Sequence, residues 1–222
     1  MITIRPAAER GQARYDWLDS RFSFSFDQYY DPAHMGFRAL RVINDDVIAP
    51  GGGFPTHPHR DMEIVSWVLE GALEHKDSLG NGGVIRPGDV QYMSAGTGIR
   101  HSEFNASKTE PAHLLQVWIM PDKKGKQPLY GQRSVAEELT PGNLAQVMEF
   151  PSAVVYAARF EGGESATHPL AAARHAWIQV GRGGIEVNGV TLGKGDGAAI
   201  SDESLLRIGA AGPAEILLFD LV

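Results

Sequence analysis

The sequence predicts an all-β protein made of many short antiparallel strands, and three observations support this. Polar and apolar residues alternate with a period of two in segments such as Phe22–Phe26, as in a half-buried strand. The 26 glycines and 13 prolines are spread along the 222 residues, which is typical of strands separated by turns. The two halves of the chain also repeat one order of strands and turns, which predicts two related β domains.

The predicted strands of the N-terminal half are rich in β-branched and aromatic residues and end at glycine, proline or aspartate turns. They are Phe22–Phe26, Leu40–Ile48, Glu63–Leu69, Leu73–His75, Val84–Ile85, Val90–Met93 and Leu114–Met120. Within Leu40–Ile48, the polar group Asn44–Asp46 is turn-like. Helices are predicted only at Ala7–Trp17 and Ser134–Leu139, the second with Ser134 as its N-cap.

A polar segment, Pro121–Tyr130, is predicted to link two domains, because it carries three lysines and is bounded by prolines. Strand patterns resume beyond it, at Val154–Arg159, Ala176–Val180, Gly184–Val187, Ala198–Ile200, Leu205–Ile208 and Glu215–Phe219. We therefore expect an N-terminal domain over residues 1–133 and a C-terminal domain over residues 134–222.

The internal repeat links these two domains. Trp67-Val-Leu-Glu-Gly is followed by Asn81-Gly and then by Pro87-Gly-Asp-Val. Trp177-Ile-Gln-Val-Gly is followed by Asn188-Gly and then by Lys194-Gly-Asp-Gly. The shared order of strand, turn, strand, Gly-Asp turn and strand indicates a diverged duplication.

Charge and composition exclude several classes of function. The 20 basic and 27 acidic residues give a net charge of −7, which disfavours direct binding to nucleic acid or to an anionic membrane surface. The chain has no cysteine, which rules out disulfides, thiolate zinc sites and a cysteine nucleophile. No signal peptide or membrane-spanning segment is visible, so a cytoplasmic location is expected.

The strongest chemical signal consists of two pairs of potential metal ligands. His57 and His59 are two residues apart, as are His101 and Glu103, and residues two apart on a strand share a face. Two such strands facing each other would offer three imidazoles and one carboxylate to a first-row transition metal. A single His-x-His pair often decorates a surface loop, but two pairs bracketed by glycine turns favour a metal site with open positions for substrate or dioxygen.

These residues resemble the two motifs of the cupin superfamily. The first motif is matched by Gly51, His57, His59 and Glu63, with Gly71 closing it one place late; the second is matched by Gly88, Gly96, His101 and Asn105. Ser94 stands where the second motif usually has proline, and His101 comes two places later than the general spacing. The pirin family, one branch of the cupins, shares both departures.

The segments FPTHPHRDMEI, LEHKDSLG, SAGTGIRHSEFN and WLDSRFSFSFDQYYDP are similar to pirins, and the resemblance is strongest over Phe22–Met120. It implies a bicupin, two packed antiparallel β-barrels of the double-stranded β-helix or jelly-roll type in one chain. It also implies a metal held by His57, His59, His101 and Glu103 in the N-terminal barrel only. Iron is the first expectation, with nickel, cobalt, manganese, copper or zinc as alternatives.

Other polar residues are candidates for a supporting role. Glu63 rivals Glu103 as the carboxylate ligand, since the general cupin motif has a ligand there; we favour Glu103 and expect Glu63 beside the site or near Arg60. His75 and Asp77 alternate on a strand and are expected to orient ligand imidazoles or contact substrate. Gln116 is expected at the barrel mouth.

The resemblance further implies an oxidoreductase. The chain is similar in length to bacterial pirin-like proteins described as quercetin 2,3-dioxygenases, which cleave the heterocycle of a flavonol with O2 and release carbon monoxide. In this interpretation a small planar polyphenol and O2 are the substrates, and Glu103 is the catalytic base that accepts the 3-hydroxyl proton. The alternative is a non-enzymatic, metal-binding regulator of the pirin type that acts through protein partners.

Overall fold

The computed structural model describes all residues from Met1 to Val222, and nearly all its regular structure is β-strand. In chain order the strands are β1 (Ile2–Arg5), β2 (Gly11–Tyr15), β3 (Leu18–Phe22), β4 (Leu40–Ile48), β5 (Gly53–His59), β6 (Glu63–Glu70), β7 (Leu73–Asp77), β8 (Gly82–Ile85), β9 (Asp89–Ser94), β10 (Ile99–Asn105), β11 (Ala112–Ile119), β12 (Leu129–Ser134), β13 (Ala145–Phe150), β14 (Ala153–Phe160), β15 (Ser165–Pro169), β16 (His175–Arg182), β17 (Ile185–Val187), β18 (Val190–Leu192), β19 (Gly197–Ile200), β20 (Leu205–Gly209) and β21 (Ala214–Leu221). One 3-10 helix spans Ala7–Glu9. None of the helical structure has the length and hydropathy needed to cross a bilayer.

The chain divides into two compact units. The N-terminal unit consists of Gly11–Gly36 and Leu40–Ser134, and the C-terminal unit consists of Met1–Arg10, Phe37–Ala39 and Val135–Val222. The sequence-based division placed residues 1–10 in the N-terminal domain. The structure differs here because β1 pairs antiparallel with β19, with Ile2 opposite Ile200. A local sequence pattern can show that a segment forms a strand, but it does not show which sheet that strand joins.

The N-terminal unit contains two antiparallel sheets. The larger has seven strands in the order β12-β9-β6-β11-β4-β3-β2, and the smaller has four in the order β5-β10-β7-β8. The two pairs of predicted metal ligands lie on β5 and β10, neighbours in the smaller sheet.

The C-terminal unit repeats this plan, and the all-β bicupin prediction is confirmed. Its six-stranded sheet has the order β1-β19-β16-β21-β14-β13, and its four-stranded sheet has the order β15-β20-β17-β18. The predicted duplication maps onto equivalent strands, because Trp67 of β6 pairs with Val90 of β9 and Trp177 of β16 pairs with Ala199 of β19. Both tryptophans are buried.

The interior of the N-terminal unit has a polar layer between two apolar clusters. One cluster contains Leu18, Ile48, Val68, Leu73, Ile85 and Leu114, and the other contains Ile64, Met93, Ala95 and Ile99. On β6, Ser66 lies between Ile64 and Val68, and every second residue of a strand faces the same side. The C-terminal unit instead has one large cluster of aliphatic side chains with Phe160. A polar layer inside a core is unfavourable unless its groups are paired or bind a ligand.

Both helix predictions are wrong. Residues 7–17 form one 3-10 turn followed by β2, and β2 pairs with β3 across the tight turn after Tyr15. Ser134 ends β12, and the chain then makes a single turn in which the Leu139 amide donates to the Val135 carbonyl at 3.2 Å. Tertiary pairing outweighs the weak helix propensity of such short segments.

Three further expectations also differ. The strand expected at Phe22–Phe26 ends at Phe22, where β3 stops. The proposed linker Pro121–Tyr130 lies within the N-terminal unit, because β12 returns to pair with β9 after it. Asn44–Asp46 is not a turn but the centre of β4, and all three residues are buried. Asparagine and aspartate favour turns where water satisfies their polar atoms. Here His113 contacts Asp45 and Ser20 donates to Asp46, so these two carboxyl groups have partners inside the fold.

Candidate metal centre

The register between β5 and β10 brings the predicted ligands together. His101 lies directly opposite His57, and Ile99 lies opposite His59. The register then shifts between His101 and Glu103, as in a β-bulge, which redirects side chains locally. On its other edge β10 pairs with β7, and Glu103 lies opposite His75.

Close approach of β5 to β10 depends on Gly53. A Cβ at this position would lie 2.4 Å from the Glu103 carbonyl oxygen and 2.5 Å from the Phe104 Cα. Backbone atoms cannot move aside as the end of a flexible side chain can, so only glycine fits here. The spacing of the two strands that carry the predicted ligands therefore depends on a residue outside the His-x-His pattern.

Three imidazoles form a triangle at the edge of the cavity. The ring centroids are 4.5 Å apart for His57 and His101, 4.7 Å for His59 and His101, and 4.8 Å for His57 and His59. Their ring nitrogens belong to a group of potential ligand atoms that all lie within 4.8 Å of one another. His59 Nε2 is buried and has no hydrogen-bond partner.

The hydrogen bonds around His57 and His101 leave their Nε2 lone pairs facing each other. His57 Nδ1 is 2.8 Å from the Pro55 carbonyl, which can only accept, so the Nδ1 proton is donated there and Nε2 carries a lone pair. The Nε2 atoms of His57 and His101 are 3.1 Å apart. Two nitrogens bound to one metal at about 2.0–2.1 Å are separated by about this distance. The arrangement fits a metal ion, which both lone pairs could bind.

The electrostatics of the cluster keep two of its imidazoles neutral. Burial, together with the charges of His101 and His57, lowers the pKa of His59 to about 3, against the opposing effect of Glu103. Burial, followed by the charges of His57 and His75, likewise lowers the pKa of His101 to about 3. A neutral imidazole is the form that binds a metal, so both rings are ready for coordination at neutral pH.

Glu103 lines the cavity beside the imidazoles and is only 1% exposed. Gln116 Nε2 donates to Glu103 Oε2 at 2.7 Å, and the Ser66 hydroxyl donates to Oε1 at 3.4 Å. Glu103 shares a second group of potential ligand atoms with His101 and His75. Its carboxylate is therefore oriented by two donors from the larger sheet, and Gln116 contacts a predicted ligand directly.

His75 and Asp77 lie behind His101. His75 is fully buried, its Nδ1 is 3.4 Å from His101 Nδ1, and its Nε2 is 3.5 Å from Asp77 Oδ2. A proton on His75 Nε2 facing Asp77 leaves Nδ1 as an acceptor, so His101 donates from Nδ1 and keeps its Nε2 lone pair towards His57. Tyr130 stacks on His75 with ring centroids 4.7 Å apart.

Asp77 is held as a carboxylate. Burial raises its pKa, but hydrogen bonds from the Asn81 side chain and backbone and from the Leu79 amide, together with the nearby His75, outweigh burial and lower it. The negative charge then favours a proton on the nearer nitrogen of His75. Groups that fix the tautomer of a metal-binding histidine in this way contribute to affinity.

We expect His75→Phe to lower metal affinity about 10–100-fold, because phenylalanine keeps the stack on Tyr130 but offers no acceptor to His101. Metal affinity is measured by competition with a chelator. Tyr130→Phe keeps the ring without its hydroxyl and serves as the control. Unchanged affinity in His75→Phe would contradict the orienting role.

Glu63 lies outside the imidazole cluster. It is on β6 opposite Ser94, and its Oε1 is 3.8 Å from Lys126 Nζ. Burial raises its pKa, while Ser94 and Lys126 act in the opposite direction. Arg60, considered as its neighbour, donates instead to the Thr97 carbonyl.

A cavity of about 330 Å³ opens next to the cluster. Its wall is formed by residues of β2, β3, β4, β5, β10 and β11, by the turn between β2 and β3, and by the loop after β3. The lining side chains are Ala13, Tyr15, Trp17, Leu18, Ser20, Phe22, Phe26, Asp27, Asn44, Asp46, Phe54, His57, His59, Glu103, Gln116 and Trp118. The many aromatic residues suit a flat apolar ligand.

Two polar parts of this site were not predicted from the sequence. Ser66 lies inside an apolar run, and Asn44 and Asp46 have the composition of a turn. The signal available was their spacing: Asn44 and Asp46 are two apart between Ile43 and Ile48, which is the same-face pattern that identified the histidines.

Asp46 is a buried acid on the cavity wall. Burial raises its pKa to about 7 from 3.8, the hydrogen bond from Ser20 opposes this shift, and the charges of Asp45 and Glu103 add to it. Since the folded state holds this proton more tightly than the unfolded chain, Asp46 contributes stability that is complete below pH 3.8 and is lost as the pH rises through about 7.

Asp46→Asn should therefore become more stable relative to the wild type as the pH rises from about 4 to about 8, by up to about 4 kcal/mol. The free energy of unfolding is measured by urea titration with a chelator present, so that no cation near Glu103 changes the Asp46 pKa. Asp16→Asn, at an exposed carboxyl of the same unit, is the control. Parallel pH curves for wild type and Asp46→Asn would contradict the raised pKa.

Comparison with known families gives two matches that together span most of the chain. The family model described as Pirin matches residues 3–119. The family model described as "Quercetinase C-terminal cupin domain" matches residues 151–221.

Individual relatives match over their full lengths. A protein of Escherichia coli K12 named "Quercetin 2,3-dioxygenase" is 49% identical, over 100% of this chain and 99% of its own. The crystal structure of YhhW from Escherichia coli superimposes with a TM-score of 0.94 at 47% identity, covering 100% of this chain and 98% of that one. A structure of YhhW described as a complex with nickel(II) has a TM-score of 0.89 at 49% identity, covering 100% and 99%.

Proposed function

Because this chain belongs to the pirin family, we propose that it is a metal-dependent dioxygenase that opens the heterocycle of a flavonol such as quercetin. The naming of close relatives as quercetin 2,3-dioxygenases supports this assignment. The observation that carries it is the imidazole triangle, whose lone pairs converge beside a cavity lined by aromatic side chains.

The proposed ligands are His57, His59, His101 and Glu103. The buried and unpartnered Nε2 of His59 and the facing Nε2 atoms of His57 and His101 support a divalent ion at this point. Nitrogen-rich sites of this kind accept several first-row metals. The nickel complex of a relative supports nickel as one candidate, in addition to iron. When bound, the metal would polarise the substrate hydroxyl and promote reaction with O2.

The chain's own residues bind the substrate and move its proton. The aromatic wall receives the flat polyphenol and excludes water from its edge. Glu103 accepts the proton of the 3-hydroxyl, and a carboxylate at hydrogen-bond distance is suited to this transfer. Gln116 and Ser66 hold the two oxygens of Glu103 in place, so that the base needs no reorganisation when the proton arrives.

The reaction balances as one flavonol and one O2 giving one ring-opened ester and one carbon monoxide. Both atoms of O2 enter the products, so no external reductant is required. His75 and Asp77 orient His101, and Glu63 has no direct part, because it is paired with Ser94 and Lys126.

The test is oxygen consumption by metal-stripped protein reloaded separately with iron, nickel, cobalt, manganese, copper or zinc and mixed with quercetin. Metal-dependent uptake of one O2 per quercetin, with carbon monoxide released, is the expected result. No uptake with any metal, despite one bound ion per chain, would overturn the proposal and favour a metal-binding regulator.

A further inference from the structure

Besides His59 Nε2, the wall of the cavity contains two polar atoms that no other group in the protein satisfies. Asn44 Oδ1 and Trp118 Nε1 are both buried without a hydrogen-bond partner. Both side chains line the cavity, and Asn44 is only 4% exposed. A buried donor or acceptor left unpaired is unfavourable and is rare in native proteins. Two of them in one cavity therefore point to a ligand.

These two side chains adjoin the candidate metal centre. Asn44 of β4 lies directly opposite Gln116 of β11, and Gln116 donates to Glu103. Trp118 is two residues further along β11, on the same face, and its ring packs edge-on to His59 with centroids 4.8 Å apart. A ligand anchored at the imidazoles can thus reach both atoms.

The two atoms are chemically complementary to an oxygen-rich aromatic ligand. The Asn44 Oδ1 is an acceptor and requires a donor such as a hydroxyl, whereas the Trp118 indole N–H requires an acceptor such as a carbonyl or ring oxygen. Phe26, at 5.4 Å and 90° from Trp118, provides an apolar surface beside them. The nearby Ser20 hydroxyl already donates to the Asp46 carboxyl group, so this pair does not need a hydrogen bond from the ligand.

We propose that Asn44 and Trp118 form a second recognition subsite, at which a hydroxyl of a planar polyphenol donates to Asn44 and a carbonyl or ring oxygen accepts from Trp118. The proposal rests on the proposed function, because the same substrate is anchored at the metal centre. It makes Asn44 the residue that selects polyhydroxylated aromatic ketones over those with a single hydroxyl, whereas Trp118 contacts an oxygen that both kinds of ligand share.

The experiment compares two flavonols on metal-loaded protein. Quercetin carries several hydroxyls, whereas 3-hydroxyflavone has the same ring system with the 3-hydroxyl alone. The wild type should prefer quercetin by roughly tenfold in kcat/KM and in Kd, since one hydrogen bond to a buried acceptor is worth about that factor. Asn44→Leu should reduce this preference to about twofold or less, by weakening quercetin alone.

Trp118→Phe gives a different expected pattern. Both flavonols have the carbonyl and the ring oxygen, so both should weaken by a similar factor of about three to ten, with the preference retained. Val47→Ala is the matched control, because Val47 lies on β4 but is 40% exposed and does not line the cavity. Thermal melting of each variant verifies that it is folded. If only one variant folds, it still tests the contact made by the residue that it replaces.

The outcomes separate this proposal from the proposed function. Oxygen uptake with equal kcat/KM for the two flavonols in the wild type, or an unchanged preference in Asn44→Leu, would overturn the subsite and leave the dioxygenase intact. Absence of uptake, with calorimetric binding that prefers quercetin and loses the preference in Asn44→Leu, would support the subsite and overturn the activity.

Discussion

Replacing His101 by alanine is expected to remove the metal and, with it, all oxygen uptake. His101 is the central member of the cluster, because its Nε2 faces His57 and its Nδ1 faces His75. Loss of an orienting residue typically lowers metal affinity about 10–100-fold. Loss of a ligand should lower it by more than that. Metal content after dialysis, measured by elemental analysis, should fall from one ion per chain to a small fraction.

The control for this substitution is His34→Ala, which removes an imidazole that is on a loop of the same unit and does not line the cavity. Folding is compared between the metal-free forms of wild type and His101→Ala by circular dichroism and thermal melting, so that loss of the metal is not mistaken for loss of the fold. Retention of one ion per chain by folded His101→Ala would contradict the assigned site.

Glu103→Gln is expected to separate metal binding from chemistry. Glutamine keeps the size of the side chain and leaves the three imidazoles in place, but its amide cannot accept the substrate proton. We expect kcat to fall about 10²–10⁴-fold, as for loss of a general base, while at least half of the metal content is retained. The measurement is oxygen consumption with quercetin at saturating metal, together with elemental analysis.

Two comparisons make the Glu103 result specific. Glu103→Asp retains a carboxylate and should recover part of the rate, whereas Gln116→Leu removes a donor to Glu103 and should lower kcat less than Glu103→Gln does. A Glu103→Gln enzyme with wild-type kcat and full metal content would show that another group accepts the proton.

The strands that carry the site were predictable from local pattern. His57 and His59, like His101 and Glu103, alternate along extended segments, so their common face follows from the geometry of a strand. The structure adds that β5 and β10 are neighbours, with His57 opposite His101. The period of two shows which residues share a face but contains no information about the partner strand.

The same limit explains the errors. Asn44–Asp46 resembles a turn because asparagine and aspartate favour turns when water surrounds them. In the fold, Asn44 lies opposite Gln116 in the backbone pairing of β4 with β11. Asp46 lies opposite Ser20 on β3, and the Ser20 hydroxyl donates to the Asp46 carboxyl group. Burial between two sheets reverses the local preference, and the partners responsible are 26 and 72 residues away along the chain.

The sequence by itself determined the all-β class, the duplicated bicupin plan, the pirin family and the residue types of the candidate metal site. Each of these depends on local periodicity or on a motif. Only the tertiary structure decided that the first strand pairs in the C-terminal unit, that Gln116 and Ser66 donate to Glu103, and that Asn44 Oδ1 and Trp118 Nε1 face one cavity without a hydrogen-bond partner. These features depend on which distant strands become neighbours, because the packed interior decides which polar groups find a hydrogen-bond partner.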